Sequence, residues 1–387
     1  MARRLRIAAN GEPLPDHDVL VRMLRRWERE GLSISRAERY ELLYARSFGL
    51  RPEDLRGPEA PGDGQHAASQ SQPVAVDAHA PYVIAAIADA LHVGLTDYPG
   101  RARVRLERDV LRAWELRQAS EYARLCDLLT DLLRDVGNRR DDAVQAIHAY
   151  NLASSLCKGV GAHEMSAVLA DRAYQVARWH GSLLLIGAAK MRVANTYLAA
   201  GMYAEAIAVA ASAADELPPR SDSPAGEVAT FGALVLTAAV AAARAGEAAQ
   251  AWEFLGQARA ATAYYDRDHA DVYAVFGPTN LAIHGVQVAT ELGDGREALR
   301  RAERTDPGRL PTVLRERRTT LLIDIARAQH IQRDNASAAE TLLEAERVAP
   351  LEVRYSGAAR GLLGELLATG RQSGELRKMA ARLNVAA

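Results

Sequence analysis

The stretch VANTYLAAGMYAEAIAVAASAADELPP, residues 193–219, decides the fold. It carries small residues at Ala194, Ala206, Ala210 and Ala213, an aromatic at Tyr197, a glycine at Gly201 and a proline at Pro218. Alanine has the highest helix propensity, and small residues three and four apart share one helix face. Gly201 ends the first helix, because the left-handed residue that terminates a helix costs glycine little, and Pro218 stops the second. The segment reads as a helical hairpin. A lone hairpin cannot bury its apolar stripe, so such units stack, and the alanines let neighbouring backbones approach.

The same frame recurs downstream. It places Ala239, Gly246, Ala251 and Ala258, then Gly293, Ala298 and Ala302, then Ala326, Ala338, Leu342, Ala345 and Pro350. The alanines after the turns, Ala206, Ala251, Ala298 and Ala338, are spaced by 45, 47 and 40 residues. These units resemble tetratricopeptide repeats, whose standard period is about 34 residues, with lengthened helices or loops. Residues 101–181 read as helical, but the sequence does not fix a repeat frame there. A hydrophobic content of 49% with only 5% aromatic residues agrees with an all-α chain built on close helix contacts.

Composition narrows the function. A net charge of −1 excludes a bulk polycation, so contact with nucleic acid has to come from a local patch. Only Cys126 and Cys157 are present, in no C-x-x-C arrangement, which points to a reducing cytoplasmic setting. No apolar run is read as long enough to span a membrane, and no membrane partner is expected. GPEAPGDGQHAASQSQPVAVDAHAP, from residue 57, lacks an apolar period and reads as a flexible linker. It divides the chain into segments 1–56, 57–80 (the linker) and 81–387.

The leading segment contains DVLVRMLRRWEREG, residues 18–31. On a helical wheel Leu20, Met23, Leu24 and Trp27 form one apolar stripe, while Arg22, Arg25, Arg26 and Arg29 cover much of the remaining face. Asp16 and Asp18 stand where either would cap the helix. Composition alone suits a solvated amphipathic helix whose arginines extend into water. The neighbouring helices MARRLRIAA and ISRAERYELLYARSFGLRPEDL change that reading.

RRWEREG and YELLYARSFGLRPEDL at the front, with FGPTNLAIHGVQVATELGD and LLEAERVAPLEVRY at the back, resemble actinobacterial Xre/Cro-type helix-turn-helix regulators with a C-terminal tetratricopeptide domain. The resemblance implies an all-α chain: a small helix-turn-helix head over 1–56 that lacks its usual first helix, then a solenoid of helical hairpins. It implies double-stranded operator DNA as a partner and a homodimer matching a two-fold operator. By carry-over Arg22, Arg25 and Arg26, with Arg29 on the same helix, face bases or phosphates, while Trp27 and Glu28 anchor the helix. The arginine fork suits guanine O6/N7 or a phosphate. Two departures stand out: no helix precedes ARRLR, and RIAANGEPLPDHDV is longer than the usual turn.

The concave face of a solenoid receives peptides or other extended ligands. The repeat frame places Asn195, Asn280 and Gln287 there, where amides suit a ligand backbone; the plainer reading is polar residues on a solvated groove. FGPTN reads as a proline-started helix after a tight glycine turn. Ten histidines and two cysteines show no metal-ligand spacing. GVGAHE, residues 159–164, follows no strand and is not a nucleotide fingerprint. DRDHADVYAVFG, residues 266–277, lacks the calcium-loop glycine and reads as a polar linker opening a helix. No catalytic constellation, metal or cofactor is expected. The sequence thus suggests a regulator whose solenoid senses a peptide, small ligand or protein partner; the alternative is an interaction scaffold whose head no longer reads DNA.

Overall fold

A computed structural model of the protein describes residues 79–93, 103–137, 142–264, 268–270, 274–369 and 374–385. The chain divides between Gln72 and Pro73 into two units, and every described residue belongs to the second. The expected helix-turn-helix segment, with Arg22, Arg25, Arg26 and Arg29, lies outside the described residues, as does most of the linker.

A hairpin turn repeated six times organises the described chain. Ser120, Gly161, Gly201, Gly246, Gly293 and Arg333 all have left-handed backbones, with φ between 59° and 82°. After each, the next amide reaches back five residues to a helical carbonyl: Glu121 to Leu116, Ala162 to Cys157, Met202 to Tyr197, Glu247 to Ala242, Asp294 to Ala289 and Asp334 to Gln329, at 2.8–2.9 Å. This satisfies a carbonyl that the helix end would otherwise leave unpaired. Five residues beyond each turn residue stands a buried side chain: Leu125, Ser166, Ala206, Ala251, Ala298 and Ala338. The frame read from the alanines therefore continues upstream through two further hairpins. Their turns are masked in the sequence because Ser120 replaces glycine, and because Leu125 and Ser166 replace alanine.

Among the described residues there are sixteen α-helices. After α1 (His79–Val93) come the hairpins α2/α3 (Arg103–Gln118, Tyr122–Gly137), α4/α5 (Ala143–Gly159, His163–His180) and α6/α7 (Leu183–Ala199, Tyr203–Asp215). Then follow α8/α9 (Ala225–Arg244, Ala248–Ala261), α10/α11 (Pro278–Glu291, Gly295–Ala302) and α12/α13 (Arg315–Ile331, Asn335–Val348). The chain ends in α14 (Pro350–Tyr355), α15 (Gly357–Ala368) and α16 (Gly374–Leu383). The fold is all-α, as the sequence predicts. α13 ends at Val348 with Ala349 as its cap, directly before Pro350 as expected, and Pro350 also occupies the first turn of α14, where its missing N–H is no loss.

Each first helix packs on the next, α2 on α4, α4 on α6 and so on to α12, and α12 returns to touch α2. The six first helices thus close into a ring, where the sequence suggests an open groove. A clasp seals it. Glu352 of α14 accepts hydrogen bonds on one carboxylate oxygen from Arg117 Nη1 at 2.9 Å, Ser120 Oγ at 2.9 Å and Tyr122 OH at 2.8 Å. Tyr355 stacks on Tyr122 with ring centroids 6.3 Å apart, and Leu351 packs with it against the core of α1–α4.

Two expectations need correction. Residues 266–277 are no mere polar linker: His269–Ala270 (β1) pairs antiparallel with Val275–Phe276 (β2). Phe276 is fully buried against Gly232 of α8, where a Cβ would meet its ring at 2.2–2.5 Å. Glycine is required there by close approach, not by backbone conformation. Asp268 accepts from the backbone amides of Thr279 and Asn280 and so caps α10 behind Pro278. Second, one run does reach membrane-spanning length: α8, Ala225–Arg244, is long and apolar enough by composition. Its apolar window is 67% buried among neighbouring helices, which is the burial of a core helix.

Candidate functional site

The ring of first helices surrounds an open-mouthed cavity of about 250 Å³. Its wall takes Trp114 and Arg117 from α2, Ser155 and Lys158 from α4, Arg192, Asn195 and Leu198 from α6, and Leu236, Val240 and Arg244 from α8. Asn280, His284 and Gln287 of α10 and Glu316, Arg317 and Thr320 of α12 complete it, and Ala274 and Val275 close one side. Helical spacing explains the set: Arg192, Asn195 and Ala199, like Asn280, His284 and Gln287, follow one another at three or four residues on a single face. Trp114, Ser155, Asn195, Val240 and Gln287 each stand six residues before their hairpin's turn residue, so the repeat itself aims them inward.

All three amides read from the sequence line this one cavity, and their hydrogen bonds separate their roles. Asn195 Nδ2 donates to the carbonyl of Met191 at 2.8 Å, one turn back, which leaves its oxygen to accept. Asn280 is 1% exposed; its Nδ2 donates to the Val275 carbonyl at 2.8 Å and ties β2 to α10, while its buried Oδ1 has no partner. Asn280 therefore holds the insertion in place as well as lining the cavity. Gln287 is half-buried on the same face.

The residues that dominate the cavity are ones the sequence does not single out as a site. Arg117 is buried and engaged: Nε donates to Ser155 Oγ at 3.0 Å, Nη1 to Glu352, and Nη2 stands 3.8 Å from Glu316. Arg244 bonds Glu291 through two nitrogens, and Arg327 bonds the same carboxylate. Arg317 Nε stands 4.0 Å from a Glu316 carboxylate oxygen and makes no hydrogen bond. Among the described residues no acid lies within ion-pair distance of Lys158 or Arg192, although the charge of Glu316 reaches both. Arg192 lies over the Trp114 ring at 5.4 Å, and its Nε and the Trp114 indole N–H are buried without acceptors.

Electrostatics follow from that arrangement. Burial pushes the Lys158 ammonium down to about 8; Glu316 opposes the fall, and Arg117, Arg192 and Arg317 deepen it. Burial, with Arg117 and Arg317, lowers Arg192 to about 10. Burial by itself would raise Glu316, but the charges of Arg317, Arg117, Lys158 and Arg192 outweigh it and hold the carboxyl well below the usual range. His284 is lowered to about 4 by burial and by Arg317; its Nδ1 donates to the Asn280 carbonyl, so the ring is neutral at pH 7. The cavity is a cationic box with one ionised acid.

No family model and no curated protein matches the chain. The site is therefore read from its own chemistry. Among the described residues no three His, Cys, Asp or Glu side chains come together as a metal site. Cys126 and Cys157 are buried free thiols, pushed up to about 11 and about 12 by burial, so neither is a nucleophile at neutral pH. Gly161, in the GVGAHE stretch, forms the turn between α4 and α5. The one sequence signal for the cations is positional: Arg117 and Lys158 each stand three residues before a turn residue. That register is visible only once Ser120 is known to occupy a glycine-type turn.

Proposed function

We propose that the protein is a cytoplasmic transcriptional regulator in which the helical ring is the receptor for a small ligand and the arginine-rich segment of residues 18–31 contacts operator DNA. The observation that carries the receptor reading is the cavity at the centre of the ring, into which the repeat turns one face of six helices. Buried polar groups are ordinarily hydrogen-bonded, so Trp114 Nε1, Arg192 Nε and Asn280 Oδ1, which lack partners around one cavity, favour a ligand there. Closure of the ring favours a small molecule over an extended peptide. DNA contact rests on Arg22, Arg25, Arg26 and Arg29 and on the resemblance of their sequence to regulators of the Xre type. Ligand binding alters the ring, and through it the pairing of heads in a homodimer and the affinity for paired half-sites.

The test is binding of the full-length protein to DNA fragments from its own gene neighbourhood and to unrelated DNA, at two salt concentrations. Preference for one fragment, weakening with salt, is expected. Arg25→Ala is expected to weaken that binding by about 1–3 kcal/mol or to relax the preference. Binding that is absent, or equal on all fragments, overturns the regulator and leaves an interaction scaffold.

A further inference from the structure

The charges around the cavity do not balance, and the imbalance has a place. Arg117 is matched by Glu352, Arg244 by Glu291, and Arg317 stands beside Glu316. Lys158 and Arg192 are left over. Both line the one cavity from the packed helices α4 and α6, and the charge of Arg192 acts on Lys158. A folded chain gains nothing by holding two unmatched cations together in a partly desolvated cavity, because each raises the cost of the other.

We infer that the cavity binds a phosphate monoester, its phosphate held by Lys158 and Arg192 with Arg317 and the Trp114 indole N–H beside them. This rests on the receptor reading and names its ligand class. A phosphate monoester carries about −1.5 to −2 charge at pH 7 with three acceptor oxygens on one centre, the charge that two adjacent cations lack. A dicarboxylate carries the same charge at two separated points, whereas the excess here is one cluster. The donors fit: a compact ammonium, and a guanidinium fork with an Nε that has no other acceptor. Lys158 is still protonated at neutral pH, and a bound dianion reinforces that state. The cavity is larger than a phosphate needs, and its Leu198, Leu236 and Val240 wall faces the ligand's organic body. A second cavity of about 270 Å³ shares Arg117, Lys158, Arg244, Gln287 and Glu316 with it, which leaves room for that body.

Titration calorimetry on the full-length protein at pH 7, in buffer free of phosphate and low in chloride, decides the matter. The probes are phenyl phosphate, inorganic phosphate and succinate, on the wild type, Lys158→Met and Arg192→Gln. Phenyl phosphate is expected to bind one per chain and more tightly than inorganic phosphate, with succinate at least tenfold weaker. Each substitution is expected to weaken phenyl phosphate at least tenfold while the melting temperature holds or rises, which separates lost binding from lost folding. A wild type that takes up neither phosphate probe overturns the inference, as does unchanged binding in both variants or preference for succinate. Peptides that change DNA affinity while phosphate stays silent overturn the phosphate and leave the receptor standing. Phosphate binding that leaves DNA affinity unchanged supports the site and overturns its coupling to DNA.

Discussion

Replacing Lys158 by methionine should make the ligand-free protein more stable. Methionine fills a similar volume with an unbranched apolar chain, so the substitution removes the charge and little else. In the wild type the ammonium is held at about 8 against an ordinary 10.5, through burial and through Arg117 of α2, Arg192 of α6 and Arg317 of α12, with Glu316 of α12 pulling the other way. At about 1.4 kcal/mol for each tenfold change in proton affinity, that depression sets an upper bound of about 3 kcal/mol on the destabilisation. Lys158 still reaches water through the cavity, so screening reduces the expected gain to about 1–2 kcal/mol. The folded pKa lies below the unfolded one, so the penalty is complete below about pH 8. Between about 8 and 10.5 the native lysine is deprotonated while the unfolded one is still charged, and wild-type stability rises relative to the variant. Urea unfolding followed by circular dichroism, in phosphate-free buffer at pH 7 and at pH 10, measures both effects. A variant less stable than wild type at pH 7, or an advantage that does not shrink by pH 10, would refute the uncompensated cation and the inference built on it.

Three further outcomes follow from the fold. Glu352→Gln leaves the buried Arg117 without its nearest carboxylate and weakens three hydrogen bonds at once, so it should cost about 3 kcal/mol and raise hydrogen exchange in α2 and α14 before the other helices. Gly232→Ala drives a methyl into the Phe276 ring and should destabilise by about 1–3 kcal/mol in urea unfolding, and Phe276→Leu in the same chain should recover part of the loss. Arg333 carries the left-handed turn, at φ 64°, that glycine forms in four of the six hairpins. Arg333→Gly should therefore raise the unfolding midpoint, with a gain of about 1 kcal/mol, and a loss would mean that the arginine side chain contributes more than its backbone costs.

The sequence by itself determined the helical class, the hairpin unit and the inward face of the later repeats. Each rests on local physics: alanine at helical spacing, and glycine where the backbone turns left-handed. Asn195, Asn280 and Gln287 were legible for that reason, since a fixed offset from a turn residue fixes which way a helical side chain points. The same logic fails upstream, where Ser120, Leu125 and Ser166 occupy the frame without its usual residues. It fails again at residues 266–277, whose acids and histidine conceal a strand pair and the anchoring Phe276. Only the tertiary structure decided that the six first helices close on themselves. Closure depends on Glu352 meeting Arg117, Ser120 and Tyr122 across about 230 residues of chain, and no local pattern encodes a contact of that range. The cationic cavity has the same origin. Arg117, Lys158, Arg192 and Arg317 are ordinary residues on separate amphipathic helices. The excess of Lys158 and Arg192 over the nearby acids exists because curvature brings those helices to one centre, where partial burial thins the water that would otherwise have screened them.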